Sequence, residues 1–237
     1  MSAPIGAELR YWAELARLFA DDRFLAPRRQ SAACPVLLIP GFMAGDASLT
    51  VLATWLRRRG HHVRLSGMRL NAGCAGRELE RLETVLSELG EPAVVIGQSR
   101  GGTFARALAA RHPDAVAAVA MLGSPVLDPL AVSATVLRTV RYVAALGDLG
   151  VRGVFSTQCR DGHCCIDYNA LLRAPLAPGT MALSVYSRSD AIVDWRACLD
   201  PAADCVEVDG SHCGMAVNPG VYRELERILD ATAAVPV

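Results

Sequence analysis

A recurring alternation of short aliphatic runs with amphipathic helical segments constrains this chain more than any other feature. VLLIP (36–40), HVRL (62–65), AVVIG (93–97), AVAAVAMLG (115–123), ALSVYS (182–187) and CVEV (205–208) read as strands, the first of them a buried parallel one. Between and after them, residues 47–59, 76–89, 100–111, 130–146 and 221–229 carry helical spacing. The first of these places Leu49, Leu52, Trp55 and Leu56 on one face and is stopped by Gly60, and the second is stopped by Gly90. Strands that alternate with helices predict a mostly parallel sheet of about six strands with helices on both faces. At 237 residues and 52% hydrophobic composition the chain can bury one large core, so 1–237 is read as a single α/β domain.

Two segments depart from the alternation. Residues 1–33 read as an N-terminal helical segment, with Leu9, Trp12, Leu15, Leu18 and Phe19 forming the apolar face of a helix over 7–20. Residues 126–178 contain one long helix, several glycines, a cysteine cluster and Pro175 and Pro178. An insertion of this size after a strand is where a small helical lid would sit; the alternative is a plain helical crossover with a long loop.

Composition excludes some classes of partner. Lys+Arg and Asp+Glu both number 24, so zero net charge gives no case for nucleic acid or an anionic surface. Neutrality also offers little protection against self-association, which leaves room for a homodimer. The first residues lack the pattern of a secretory signal, and no run reaches the roughly 20 apolar residues of a membrane span, so a cytoplasmic location is expected. There are eight cysteines. In CRDGHCC (159–165) a local disulfide is one reading, as is a metal site using Cys159, His163 and Cys164 or Cys165. The metal reading lacks a second ligand pair, and free, partly buried thiols are preferred. Cys198 and Cys205 carry the same disulfide question. No metal or cofactor is expected.

Gly97-Gln98-Ser99-Arg100-Gly101-Gly102 follows one strand directly and opens a helix. Ser99 therefore sits on a sharp strand-to-helix turn, flanked by glycines because larger side chains would collide there, and the turn pushes its hydroxyl out at the C-terminal edge of the sheet. A serine hydroxyl needs a base to become a nucleophile. Of the five histidines, His163 and His212 lie far enough downstream, and His212 alone follows a strand, CVEV, through the turn Asp209-Gly210-Ser211. The acid that orients this base is read as Asp190, which follows ALSVYS after the short turn Arg188-Ser189, with Asp194 as the runner-up. The backbone N–H groups of Arg100 and Phe42 are the expected oxyanion donors; Pro40 has no N–H to offer.

With these residues in place the chain resembles the α/β-hydrolase superfamily, and within it bacterial lipases and esterases. PGFMAGD, GQSRGG, LGSP (122–125), YSRSDAIVDW and GSHCGMAVNPGVY occur in the order of that family's oxyanion loop, nucleophile elbow, following strand end, acid loop and histidine loop. Pro40 and Gln98 stand where the family often has histidine. The resemblance implies ester hydrolysis through an acyl-enzyme, with a small-molecule ester or acyl substrate and without a cofactor. The same machinery would serve an acyltransferase or a thioesterase, and a non-catalytic binding protein on this fold is the remaining alternative.

Overall fold

The computed structural model describes residues 5–26 and 33–234. Each aliphatic run forms a strand: β1 (Pro35–Ile39), β2 (His62–Leu65), β3 (Ala93–Gln98), β4 (Val116–Leu122), β5 (Met181–Tyr186) and β6 (Asp204–Glu207). They build one 6-stranded sheet in the order β2-β1-β3-β4-β5-β6. Every neighbouring pair is parallel, so the expectation of a mostly parallel sheet is met in full.

Parallel strands need crossovers, and here they are α3 (Thr50–Arg58), α4 (Ala75–Ser87), α5 (Arg100–Arg111) and a longer excursion between β4 and β5. Side chains alternate across a strand, and the core divides accordingly. Val36, Leu38, Val94 and Ile96 pack with Trp55 and Leu56 of α3 and with Tyr222 and Leu225 of the closing helix, which spans Pro219–Ala233. Leu37, Ile39 and Val95 pack on the opposite face with Leu82 of α4 and with Phe104 and Leu108 of α5. One irregularity interrupts the alternation. Ala93 pairs with Val116 but Val94 pairs with Ala118, so Ala117 is an extra residue on β4. This bulge lets Val116 and Val119 point to the same face.

The N-terminal segment differs from the single helix expected over 7–20. Ile5–Arg10 is a 3-10 turn, followed by α1 (Tyr11–Phe19) and the short α2 (Asp22–Leu25). Of the expected apolar face, Leu18 is buried, but Leu9 and Trp12 are exposed at 75% and 68%. What α1 buries instead is a carboxylate, Glu14, which is 1% exposed. The helix is rotated by its polar contacts, because Glu14 accepts the backbone N–H and the hydroxyl of Ser211 at 2.8 and 2.9 Å.

The segment between β4 and β5 holds α6 (Ala134–Asp148), α7 (Thr157–Asp161) and α8 (His163–Arg173). Tyr168 and Leu172 of α8 join the α4/α5 core. Val143 and Ala144 of α6 pack with Ala72 and Phe155, and Phe42 lies against this cluster. No described helix is long and apolar enough to cross a membrane. Numbering of the elements closes with α9, the Pro219–Ala233 helix.

Candidate active site

Because the strands are parallel, the loops that leave β1, β3, β5 and β6 all emerge at one edge of the sheet. These loops carry Phe42, Ser99, Asp190 and His212.

Ser99 occupies a backbone conformation that a side chain rarely adopts, φ 52° and ψ −123°. Such strain costs on the order of 1–3 kcal/mol and persists because the surroundings fix it. The glycines around it are required by close approach. A Cβ on Gly97 would lie 2.2 Å from the backbone of Gly101, and one on Gly101 would lie 2.2 Å from the Ile39 carbonyl. The Ser99 N–H donates to the Leu122 carbonyl at 2.8 Å, which ties the elbow to the end of β4.

Asp190 and His212 meet directly. His212 Nδ1 lies 2.7 Å from Asp190 Oδ2, and the two residues are 6% and 4% exposed. The other carboxylate oxygen, Oδ1, accepts the N–H groups of Ile192 and Val193, both at 2.8 Å. With Nδ1–H donating to the Asp190 carboxylate, the neutral imidazole keeps Nε2 as its unprotonated nitrogen. Gly123, at φ +57°, abuts the pair: a Cβ there would stand 3.3 Å from His212 Nδ1 and 3.5 Å from Asp190 Oδ2. Asp194, the runner-up acid, instead caps the turn Trp195–Cys198 by accepting the Arg196 N–H.

Ser99 is linked to this pair through its neighbour. Gln98 Nε2 donates to the His212 carbonyl at 3.0 Å, so the residue in the place of the often-found histidine pins the base loop to the elbow. Among the described residues the Ser99 hydroxyl itself makes no hydrogen bond to the imidazole. Long or unaligned contacts at this step are common before substrate enters.

The amides expected to serve as oxyanion donors are those of Phe42, on the loop after β1, and Arg100, at the start of α5. Neither N–H donates to a backbone carbonyl among the described residues. Gly41 brings the first loop against the elbow, since a Cβ there would stand 3.3 Å from Ser99 Cβ. The next residue, Met43, has φ 58° and its N–H donates to Asn71.

Asn71 is a residue that the sequence did not single out. It is fully buried. Its side chain donates to the Pro40 carbonyl at 2.7 Å and accepts from the Arg100 guanidinium at 2.9 Å. Its backbone joins both Met43 and Ala44. Arg100 continues to the Gly73 carbonyl at 2.7 Å and stacks over Phe104 and Phe155. The two amide-bearing loops are thus fastened together through one asparagine. Glu8 and Glu14 were also missed; both accept backbone N–H groups of the histidine loop.

Surface hollows of about 400 and 480 Å³ lie elsewhere, the first at the start of β5 and β6 around Thr180 and Asp204, the second between α2 and α9. Neither is lined by Ser, Cys or His. Among the described residues no two cysteines are joined by a disulfide. The disulfide alternatives are therefore not realised, and His163 lies on the surface.

A family model described as alpha/beta hydrolase fold matches residues 78–161. No curated protein matches the chain by sequence. Among solved structures, the chain is similar to the lipase BlEst2 of Bacillus licheniformis, with 13% identity and a TM-score of 0.60 over 85% of this chain and 94% of that one. A structure from work on the metagenome-derived lipolytic enzymes LipS and LipT gives 16% identity and a TM-score of 0.58 over 85% and 95%. The monoacylglycerol lipase of Paleococcus ferrophilus gives 14% and 0.56 over 84% and 93%. The chain has the α/β-hydrolase fold.

Proposed function

We propose that this protein is a serine-dependent carboxylic-ester hydrolase that acts on an apolar acyl substrate through an acyl-enzyme. The observation that carries the reading is the buried 2.7 Å pair of His212 and Asp190, held at the sheet edge where the strained Ser99 elbow emerges. A structural ion pair would not need to sit at the sheet edge from which a serine in a costly backbone conformation emerges.

In this mechanism Ser99 Oγ attacks the ester carbonyl while His212 Nε2 accepts its proton, and Asp190 stabilises the imidazolium. The carbonyl oxygen becomes an oxyanion held by the N–H groups of Phe42 and Arg100. His212 then protonates the leaving alkoxide, which leaves Ser99 acylated. Water, deprotonated by His212, attacks the acyl-enzyme and the free acid departs with Ser99 restored. Each donor to the oxyanion in such sites contributes about 10²–10³ in rate.

The apolar character of the substrate is inferred from what surrounds the first loop. Phe42 lies 6.1 Å, centroid to centroid, from Phe155, and Val140, Val143 and Ala144 of α6 complete the cluster. Residues 126–178 act here as the lid that shields the acyl group. The insertion is also attached to the acid loop, by the Val132–Val193 bridge and by the Ser133 N–H donating to the Ile192 carbonyl. Hydrolysis of p-nitrophenyl esters of graded chain length tests the reading. Turnover falls about 10⁶-fold in Ser99→Ala, as for other triad knockouts; undiminished turnover in that variant would end the proposal.

A further inference from the structure

The preferred metal-free reading of the cysteine cluster considered only neighbours in sequence. In three dimensions a third sulfur arrives from far away. The Cys74 thiol lies 3.6 Å from that of Cys164, 90 positions along the chain. With Cys159 they form a group whose sulfurs all lie within 4.8 Å of one another. His163 and Cys165 do not belong to this group.

We propose that Cys74, Cys159 and Cys164 form a three-thiolate binding site for one thiophilic d10 metal ion of the zinc and cadmium class. Three observations carry this. First, the sulfurs come from separate elements: Cys74 precedes α4, Cys159 lies in α7 and Cys164 in the first turn of α8. Two sulfurs suffice for a disulfide, whereas three converging ones match a soft cation. Second, the spacing suits ligands that share an ion. Zinc–sulfur bonds of about 2.3 Å in tetrahedral geometry place two sulfurs about 3.8 Å apart, against about 2.05 Å for a disulfide. Third, the packing is close enough to hold the ligands in place: a Cβ on Gly76 would stand 3.3 Å from Cys164 Cβ. Cys74 is buried and its two partners are half-buried.

Such an ion would fasten α7 and α8 to the loop 71–74, which Arg100 grips through Asn71 and Gly73. The site therefore braces the insertion against the body of the domain. It stands on the sulfur geometry alone and does not depend on the esterase reading.

The test uses the reduced full-length protein and cadmium chloride. One Cd²⁺ per chain is expected, with an ultraviolet sulfur-to-cadmium charge-transfer band that zinc chloride reverses by competition. The band is lost in Cys74→Ser and in Cys164→Ser and is retained in Cys205→Ser, whose thiol is exposed and outside the group. A measurement on the unmodified chain guards against variants that misfold: Cd²⁺ shields Cys74, Cys159 and Cys164 from iodoacetamide, read by peptide mass spectrometry, and leaves Cys205 labelling unchanged. Absence of the band, or protection that falls on other cysteines, would overturn the proposal.

Discussion

One carboxylate oxygen of Glu8 accepts the backbone N–H of His212 at 3.2 Å and that of Ala191 at 3.3 Å, so a single N-terminal side chain spans the loops of the proposed base and acid. Its second oxygen takes the Cys213 N–H at 2.8 Å. Removing this clamp frees the His212–Asp190 pair to drift without touching either residue. Glu8→Ala is therefore expected to lower kcat about 10-fold or more while KM for a p-nitrophenyl ester stays nearly constant, since small misplacements of catalytic groups cost rate more than binding. Glu8→Gln, which keeps an acceptor, recovers part of the loss. An equal change in KM and kcat, or no change in either, would show that Glu8 does not position the base.

Asn71 fastens the Phe42 loop to Arg100, so its loss should loosen both oxyanion donors at once. Asn71→Ala is expected to reduce kcat by about 10–10³-fold, the range for disturbing one oxyanion donor. It also strands the Pro40 carbonyl and one Arg100 donor, which costs roughly 1–3 kcal/mol of stability. Steady-state kinetics and denaturant melts on the same variant separate the two effects. Wild-type kcat with reduced stability would confine Asn71 to a structural role.

The contrast between Asn71 and Ser99 shows what a linear reading can and cannot reach. Ser99 is legible because a strained turn needs glycines at fixed offsets, and that need is written next to it. The inner strands β1, β3 and β4 are legible for a similar reason: strands buried on both faces must be aliphatic throughout. Asp190 and His212 follow because each leaves a strand after a short turn. Asn71 lies in SGMRLNAGC, a loop without periodicity, and its role exists only through partners at 40, 43, 44 and 100. Glu8 and Glu14 lie outside the apolar face expected for the 7–20 helix, yet both turn to the histidine loop, whose backbone donors they satisfy. Cys74 is 90 positions from Cys164, so no spacing rule could join them.

Asp190 offers a test of orientation apart from charge burial. Asp190→Asn retains a side-chain oxygen for the Ile192 and Val193 N–H groups, but its amide can donate to Nδ1 and so favours the wrong imidazole tautomer. A fall in kcat of about 10⁴ with the fold preserved is expected, by analogy with the serine protease triad. Circular dichroism and kcat together check it; a loss under 10-fold would remove Asp190 from the mechanism.

Acid should weaken the fold through His61, which lies outside the site. Burial, followed by the charge of Arg59, lowers its pKa from 6.5 to about 4. The Cys34 N–H donates to Nδ1 at 3.4 Å, and the Cys34 thiol stands 3.2 Å away. As pH falls through 6.5 the unfolded chain binds a proton that the folded chain does not take up until about 4. Stability is thus lost across that interval, with no further loss from this group below it. His61→Asn should flatten the dependence of Tm on pH between those limits. An unchanged slope in the variant would assign the acid sensitivity to other groups.

The most direct test of the central claim is covalent labelling by a fluorophosphonate, which needs an activated serine and an oxyanion site but no guess at the substrate. Intact mass spectrometry of the folded wild-type protein should show a single adduct, mapped by peptide analysis to Ser99, with labelling abolished in Ser99→Ala and strongly slowed in His212→Ala. Wild-type protein that remains unlabelled, or an adduct on a different residue, would contradict the account.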